Sequence, residues 1–388
     1  MACLMLTKIS ALAVAQETGT IVGRTPGSAI GARITSTAVV PIATCNSPAA
    51  SAAEASGGPL VPEMVFSRKW GELVCIRHQD GHTEQLRSDN IAGVASADGK
   101  QVAYWIEAKH ELRVASASQH ADTLIEALPG ATFRQMIWSQ KGHTLSYFPN
   151  DPKLPGIRAI DVDSGQRKLF SGSFVALVAS PDPEHVVAVA GDGVERLAIA
   201  DGKREVLATV KYASAAKYSH SGKRLGILAN APAAEAPAAA TGNAPDSSAD
   251  DDGPDCTGGA FFLIVQDAAT NQLLDVPFPK GFDTVLDFSF SPDDRAITVT
   301  FGVVGCDYPG ERAQIYLVSL PDLRLTPLSP EDRMSVQPEW TPDGKALVYV
   351  DYRGSDSPLV AFDLQTHKIR RLTNPGQYFG PDAWVSWR

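Results

Sequence analysis

No stretch of this chain approaches the ~18 continuous apolar residues of a membrane-spanning helix, so a conventional transmembrane segment is not expected. Positive charge is scarce: 34 Lys and Arg stand against 44 Asp and Glu, a net charge of −10. Nucleic acid needs a basic surface to meet its phosphates, so it is not an expected partner. The eight histidines, His78, His82, His110, His120, His143, His185, His220 and His367, form no HExxH, HxH or Cys/His zinc spacing. There is no Gly-x-Ser-x-Gly elbow and no Walker-type phosphate loop. The expectation is a protein with no catalytic constellation, no cofactor and no resident metal. A helical period of 3.6 is not sustained anywhere after residue 60, which leaves an all-β chain.

What the chain does have is a returning phrase: an aromatic, a small polar residue, a turn, then a run of apolar β-formers. The clearest copy is Trp340-Thr341-Pro342-Asp343-Gly344-Lys345, followed by Ala346–Val350. Weaker copies begin at Phe290, Tyr218 and Trp138, and two without the aromatic begin at Ala95 and Ala179. Pro presets φ in the turn, Asp bonds its own backbone, and Gly supplies positive φ. A second apolar run follows each phrase, then a hairpin signal such as Asp163-Ser164-Gly165 or Asp201-Gly202, then a short closing strand. The unit is a four-stranded antiparallel meander.

Gly99 to Gly142 spans 43 residues, Gly142 to Pro183 41, and Pro183 to Gly222 39. Four-stranded repeats of about 40–50 residues are the signature of propeller blades. Six blades start near residues 91, 133, 174, 214, 284 and 336. Residues 63–88 hold strand for three, and Ala383–Trp387 opens a strand that leads nowhere. Joining them gives a seven-bladed β-propeller closed by both termini; six blades is the alternative, with 63–88 a flanking hairpin. The domain division is 1–60 as a leader and 61–388 as the propeller, interrupted at 230–259 by an acidic, Ala/Pro-rich insert. That insert carries Glu235, Asp246, Asp250, Asp251, Asp252 and Asp255 with no Lys or Arg, so the ring itself is nearly neutral.

The phrase at Trp340–Lys345, with Phe362-Asp363-Leu364 and Arg371-Leu372-Thr373 beyond it, resembles the repeat of TolB-type propellers. Related repeats build the propellers of prolyl-oligopeptidase-like enzymes. The resemblance implies a fold over residues 63–388 and a non-catalytic protein-interaction platform of the bacterial envelope. It does not imply TolB's own role, because residues 1–60 show no counterpart of the helical domain that precedes the TolB propeller. Oligogalacturonate lyases, also propellers, gather histidines around a metal at the channel mouth. Here the first strands offer Gln135 and Gln337, three residues before Trp138 and Trp340, while His143 and His220 read as exposed turn residues.

Compartment rests on the 5 cysteines. Arg33, the apolar run Ile34–Thr44 and Cys45, followed by a Ser/Pro/Ala/Gly tether, resemble a bacterial lipoprotein signal. Cys45 is therefore a candidate lipidation site, the other reading being an unstructured leader with an incidental cysteine. Cys75 reads as a buried strand residue. Cys256 and Cys306 fall in equivalent loops of adjacent blades and are read as a disulfide, which implies an oxidising compartment. The cluster Asp250–Asp255 lacks the ligand spacing of a calcium loop and reads as a solvated acidic loop. Loops 147–156 and 302–312, like the insert, join second to third strands and share one face, where Asp307, Tyr308, Glu311 and Arg312 are candidate partner contacts.

The functional expectation is an exported, periplasmic or envelope-anchored ring, monomeric, tethered by lipid only. It would bind a protein or peptide through the long-loop face. The alternative is a propeller enzyme or carbohydrate-binding protein working at the channel mouth.

Overall fold

The computed structural model describes residues 64–67, 73–76, 83–87, 90–116, 121–151, 153–191, 193–231, 260–303, 312–320, 322–330, 334–352, 357–372 and 384–387. Strands dominate the described residues, with one short 3-10 turn at Glu107–Lys109. They fall in fours along the chain. Asn90–Ala95, Gln101–Ile106, Glu111–Ser116 and Ala121–Ala127 form one antiparallel sheet. Thr132–Trp138, Thr144–Asn150, Ile157–Asp161 and Arg167–Phe170 form the next, then Ala176–Val178, His185–Ala190, Gly193–Ala198 and Arg204–Thr209. Ala213–Tyr218, Arg224–Ala231, Ala260–Asp267 and Leu273–Asp275 follow. Two more meanders, Thr284–Phe290 to Leu325–Pro327 and Met334–Trp340 to Ile369–Arg371, are joined by a single parallel pairing, Ala313 with Met334. Trp384–Trp387 pairs antiparallel with Met64–Ser67, which continues into Leu73–Ile76 and Thr83–Arg87.

The first strands of successive sheets lie against one another, Asn90–Ala95 beside Thr132–Trp138 and Thr284–Phe290 beside Met334–Trp340. Several carry a register break, between Phe133 and Gln135, Ala213 and Ala215, Val285 and Asp287, and Val336 and Glu339. Such bulges bend and twist a strand, and they let two unlike positions face the same way.

The core is laid between sheets rather than within them. Trp105, Leu112 and Val114 pack with Met136, Trp138 and Tyr147 of the next sheet. Leu228 and Leu263 pack in the same way with Val285, Phe288 and Phe301. Strands such as Gln101–Ile106 are buried along their whole length, as the near-continuous apolar runs predict. Each fully buried large side chain contributes about 1.5–3 kcal/mol, so neighbouring sheets hold one another by their faces.

The phrase explains itself in these contacts. Ser96, Ser291 and Thr341 donate their hydroxyls to the Asp two residues on, each at 2.7 Å, and accept the amide five residues on at 3.0 Å. The same Asp residues, Asp98, Asp293 and Asp343, accept a backbone amide two residues later at 3.1 Å. The aromatic at the head of the phrase reaches the preceding sheet: the Trp138 indole donates to the Val94 carbonyl at 3.0 Å, and Trp340 to Ser289 at 3.1 Å. A buried indole needs such an acceptor, which accounts for Trp at these heads.

Candidate functional site

The two ends of the strands differ. At the end where first strands turn into second, the phrases are sewn together. The Gln140 amide donates to the Ser180 carbonyl at 2.6 Å, and its side-chain Nε2 continues to Tyr218 (3.5 Å) and Ser219 (3.3 Å). Asp294, held at φ 58, accepts at Oδ2 from the Ser219 hydroxyl (2.9 Å) and from the Ser221 hydroxyl, while Arg224 donates to its carbonyl.

His143 completes this stitching and corrects the expectation of an exposed turn residue. Its side chain is only 17 % exposed, with Nδ1 2.7 Å from Asp163 and Nε2 3.1 Å from Asp98 of the neighbouring sheet. A neutral imidazole has one N–H, so both contacts are hydrogen bonds only in the imidazolium form. Burial acts to lower the His143 pKa, but the bonds to Asp163 and Asp98 outweigh it and hold it above 6.5. Burial likewise acts to raise Asp98, and the Ser96, Lys100 and His143 donors outweigh it, leaving the carboxyl well below the usual range. His220 is exposed, as expected.

Long connections leave from the opposite end. In an antiparallel meander the second-to-third connections lie away from the first-to-second turns. Strands Arg224–Ala231 and Ala260–Asp267, eight residues each, flank positions 232–259, so the interruption begins two residues later than the sequence suggested. Ala296–Gly302 and Ala313–Ser319 flank the connection holding the predicted contacts. Arg312 is exposed there, its guanidinium 5.4 Å from the centre of the Phe282 ring. Asp307, Tyr308 and Glu311 lie outside the described residues, as do Cys45, Cys256, Cys306, the leader 1–60 and the acidic cluster Asp250–Asp255. Cys75 is placed in strand Leu73–Ile76.

A third feature lies along the first strands themselves. Lys217 Nζ donates to Asp287 Oδ1 at 2.8 Å and to the Phe288 carbonyl at 2.7 Å. Its side chain is 46 % exposed although it stands on a first strand, so solvent reaches the space between these strands. On the next first strand, Glu339 accepts from the Ser289 hydroxyl at 3.3 Å. Burial pushes the Glu339 carboxyl up to about 7, with Lys217 opposing and Asp287 adding to the rise. Burial would lower the Lys217 ammonium, but the carboxylates of Asp287 and Glu339 outweigh it and raise its pKa. Lys217, Asp287 and Glu339 were not singled out from sequence. They stand four or two residues before the phrase hydroxyls Ser219, Ser291 and Thr341, and that offset is the signal that would have found them.

The glutamines divide. Gln135 is a clasp: it donates to the Leu177 carbonyl at 3.2 Å and accepts the Leu177 amide at 2.7 Å, tying adjacent first strands. Gln337 takes a left-handed φ of 57 at the bulge two residues before Glu339. Among the described residues no three His, Cys, Asp or Glu side chains gather closely enough to share a metal ion.

No family profile and no curated protein matches the chain. Solved structures do. The β-propeller domain of the Trilobed protease from Pyrococcus furiosus aligns with a TM-score of 0.54 and 13% identity, covering 78% of this chain and 87% of that one. An oligogalacturonate lyase from Vibrio parahaemolyticus gives 0.52 and 11%, covering 82% and 86%. TolB from Acinetobacter baumannii gives 0.49 and 12%, covering 86% and 68%. At such identities the likeness to the first two shows the fold alone, and with the repeated four-stranded sheets it identifies this chain as a β-propeller.

Proposed function

We propose that this chain is a seven-bladed ring, closed by the pairing of Trp384–Trp387 with Met64–Ser67, that binds a protein or peptide without catalysing a reaction on it. The observation carrying this reading is the asymmetry of its two ends. One end is consumed by blade-to-blade bonds through Gln140, His143 and Asp294. The other carries the long second-to-third connections, including the 28 positions 232–259 and the segment leading to exposed Arg312. Recognition concentrates on connections held by a rigid frame. The readings of Cys45 as a lipidation site and of Cys256 and Cys306 as a disulfide, both made from the sequence, support an exported or envelope-anchored site of action, with lipid as the tether. The ring acts as a monomer.

The second reading, an enzyme or carbohydrate-binding propeller at the channel mouth, is favoured by one observation: Glu339 titrates near 7, where an acid or base works best at neutral pH. Stoichiometric, tightly bound Mn or Zn in purified protein would favour it.

The test of the first reading is photo-crosslinking in the producing cell from a probe at position 312 and from one at 345, in the intact chain and in one with 232–259 replaced by a short Gly/Ser linker. Adducts from 312 that vanish with the replacement support the loop face. Adducts from 345 alone overturn it.

A further inference from the structure

The loop end of the propeller is not flat. Between the second and third sheets lies a cleft of about 310 Å3, floored by Phe148 and Phe174. Both rings belong to the core packed between those sheets, so the floor is rigid. One wall is the second-to-third connection of the second sheet, with Pro149 and Pro155 beside the floor. The other is the connection to the third sheet, where exposed Gly172 and Ser173 present backbone. A Cβ on Gly172 would meet the Phe174 ring at 3.3 Å, so a side chain there would crowd the floor. The backbone amides of Gly172 and Ser173 and the side-chain amide of Asn150 have no hydrogen-bond partner among the described residues.

Asp151 is the one charged side chain lining this cleft. Its Oδ1 accepts the Lys153 backbone amide at 2.8 Å, and it makes no ion pair among the described residues. Arg204 does not neutralise it: that guanidinium, 5.4 Å from the centre of the Phe174 ring, is engaged by Glu195 at 3.6 Å and by the Ser171 carbonyl. The connection 232–259 leaves from the same end of the propeller, and its sequence holds six carboxylates with no Lys or Arg. A partner approaching this end meets an apolar cleft with an acidic rim.

We infer that the cleft receives an aromatic side chain from an extended, basic segment of the protein partner, with a Lys or Arg next to that residue meeting Asp151. Its volume is at the lower end for a ligand pocket, which leaves room for one ring rather than a run of residues. An aromatic ring seated on Phe148 and Phe174 buries a large area at small entropic cost. The amides of Gly172 and Ser173 then stand beside the segment's main chain as donors, while the Asp151 carboxylate selects a cation over an anion at the rim. This occupant rests on the proposed function, whereas the cleft itself does not.

The experiment titrates the full chain with the acetylated, amidated tripeptide Lys-Trp-Lys, followed by saturation-transfer NMR, with Lys-Ala-Lys and Glu-Trp-Glu as controls. The expected result is saturable binding of Lys-Trp-Lys, with Lys-Ala-Lys weaker by about tenfold or more and Glu-Trp-Glu by about fivefold or more. Ser173→Trp, at an exposed position, should abolish binding by filling the cleft. Asp151→Asn keeps an acceptor for the Lys153 amide and should shrink the preference for Lys-Trp-Lys over Glu-Trp-Glu. Should either variant fail to fold, the three-peptide comparison on the unaltered chain decides. Absence of saturable binding, equal binding of either control, or binding unchanged in Ser173→Trp overturns the site. Peptide binding without crosslinks from position 312 would count against the proposed function and leave the cleft standing, and the reverse would sink the cleft alone.

Discussion

Gln140 donates its side-chain amide to the main-chain carbonyl of Ser219 at 3.3 Å, joining blades that are not neighbours along the chain. The same residue holds the intervening blade through the Ser180 carbonyl. One residue thus spans three turn phrases, with its backbone amide on one and its side chain on the next, and the turn-phrase end of the propeller is a structural layer.

Replacing Gln140 with Leu leaves the Tyr218 and Ser219 carbonyls without this donor. A loss of about 1–2 kcal/mol is expected, read as a lower urea midpoint with an unchanged slope.

The packing between phrases is testable with glycines. Gly222 has φ +73, and a Cβ there would meet the Pro181 Cβ at 2.9 Å, whereas Gly165 at φ +75 has open space around it. Gly165→Ala should cost about 1 kcal/mol for backbone strain alone. Gly222→Ala should cost more, by about a further 1–2 kcal/mol for the overpacked blade contact. Equal losses in thermal denaturation would show that the phrases do not press on each other.

The His143 clasp predicts a pH dependence. Its folded-state pKa is raised above 6.5, so its contribution is full below that value and fades as pH rises through the folded value. Because Asp163 is 63 % exposed, the effect is modest, about 1 kcal/mol or less. His143→Gln should lower stability at pH 5.5 and change little at pH 8.5, measured by urea denaturation at both.

Much of this architecture is legible in the sequence. The closing strand Arg167–Phe170 and the terminal strands Met64–Ser67 and Trp384–Trp387 fall where turn signals and apolar runs place them. The sequence offers Leu197–Ala200 as the second apolar run of its blade, whereas the strand is Gly193–Ala198, because a tight hairpin after Ala190 leaves no long turn to mark its start. The polar cluster was invisible for a different reason. Lys217, Asp287 and Glu339 come from three separate copies of the repeat, and the even offset each keeps from its phrase hydroxyl points to a shared face only once the copies are known to lie side by side. His143 was misread because its second carboxylate, Asp98, lies 45 positions away.

Glu339 should cost the protein stability at high pH. Its carboxyl is raised from 4.5 to about 7, so its contribution to folding is present below 4.5 and lost as pH rises through about 7. Glu339→Gln is expected to stabilise the fold by about 1–3 kcal/mol at pH 8 and by little at pH 4.

The central claim is that partners meet the loop end of the ring and not the sewn end. Crosslinking from position 312 against position 345 tests it most directly. Adducts from 312 that are lost when 232–259 is replaced, with none from 345, are the predicted result. Adducts from 345 that survive the replacement, with none from 312, would contradict it.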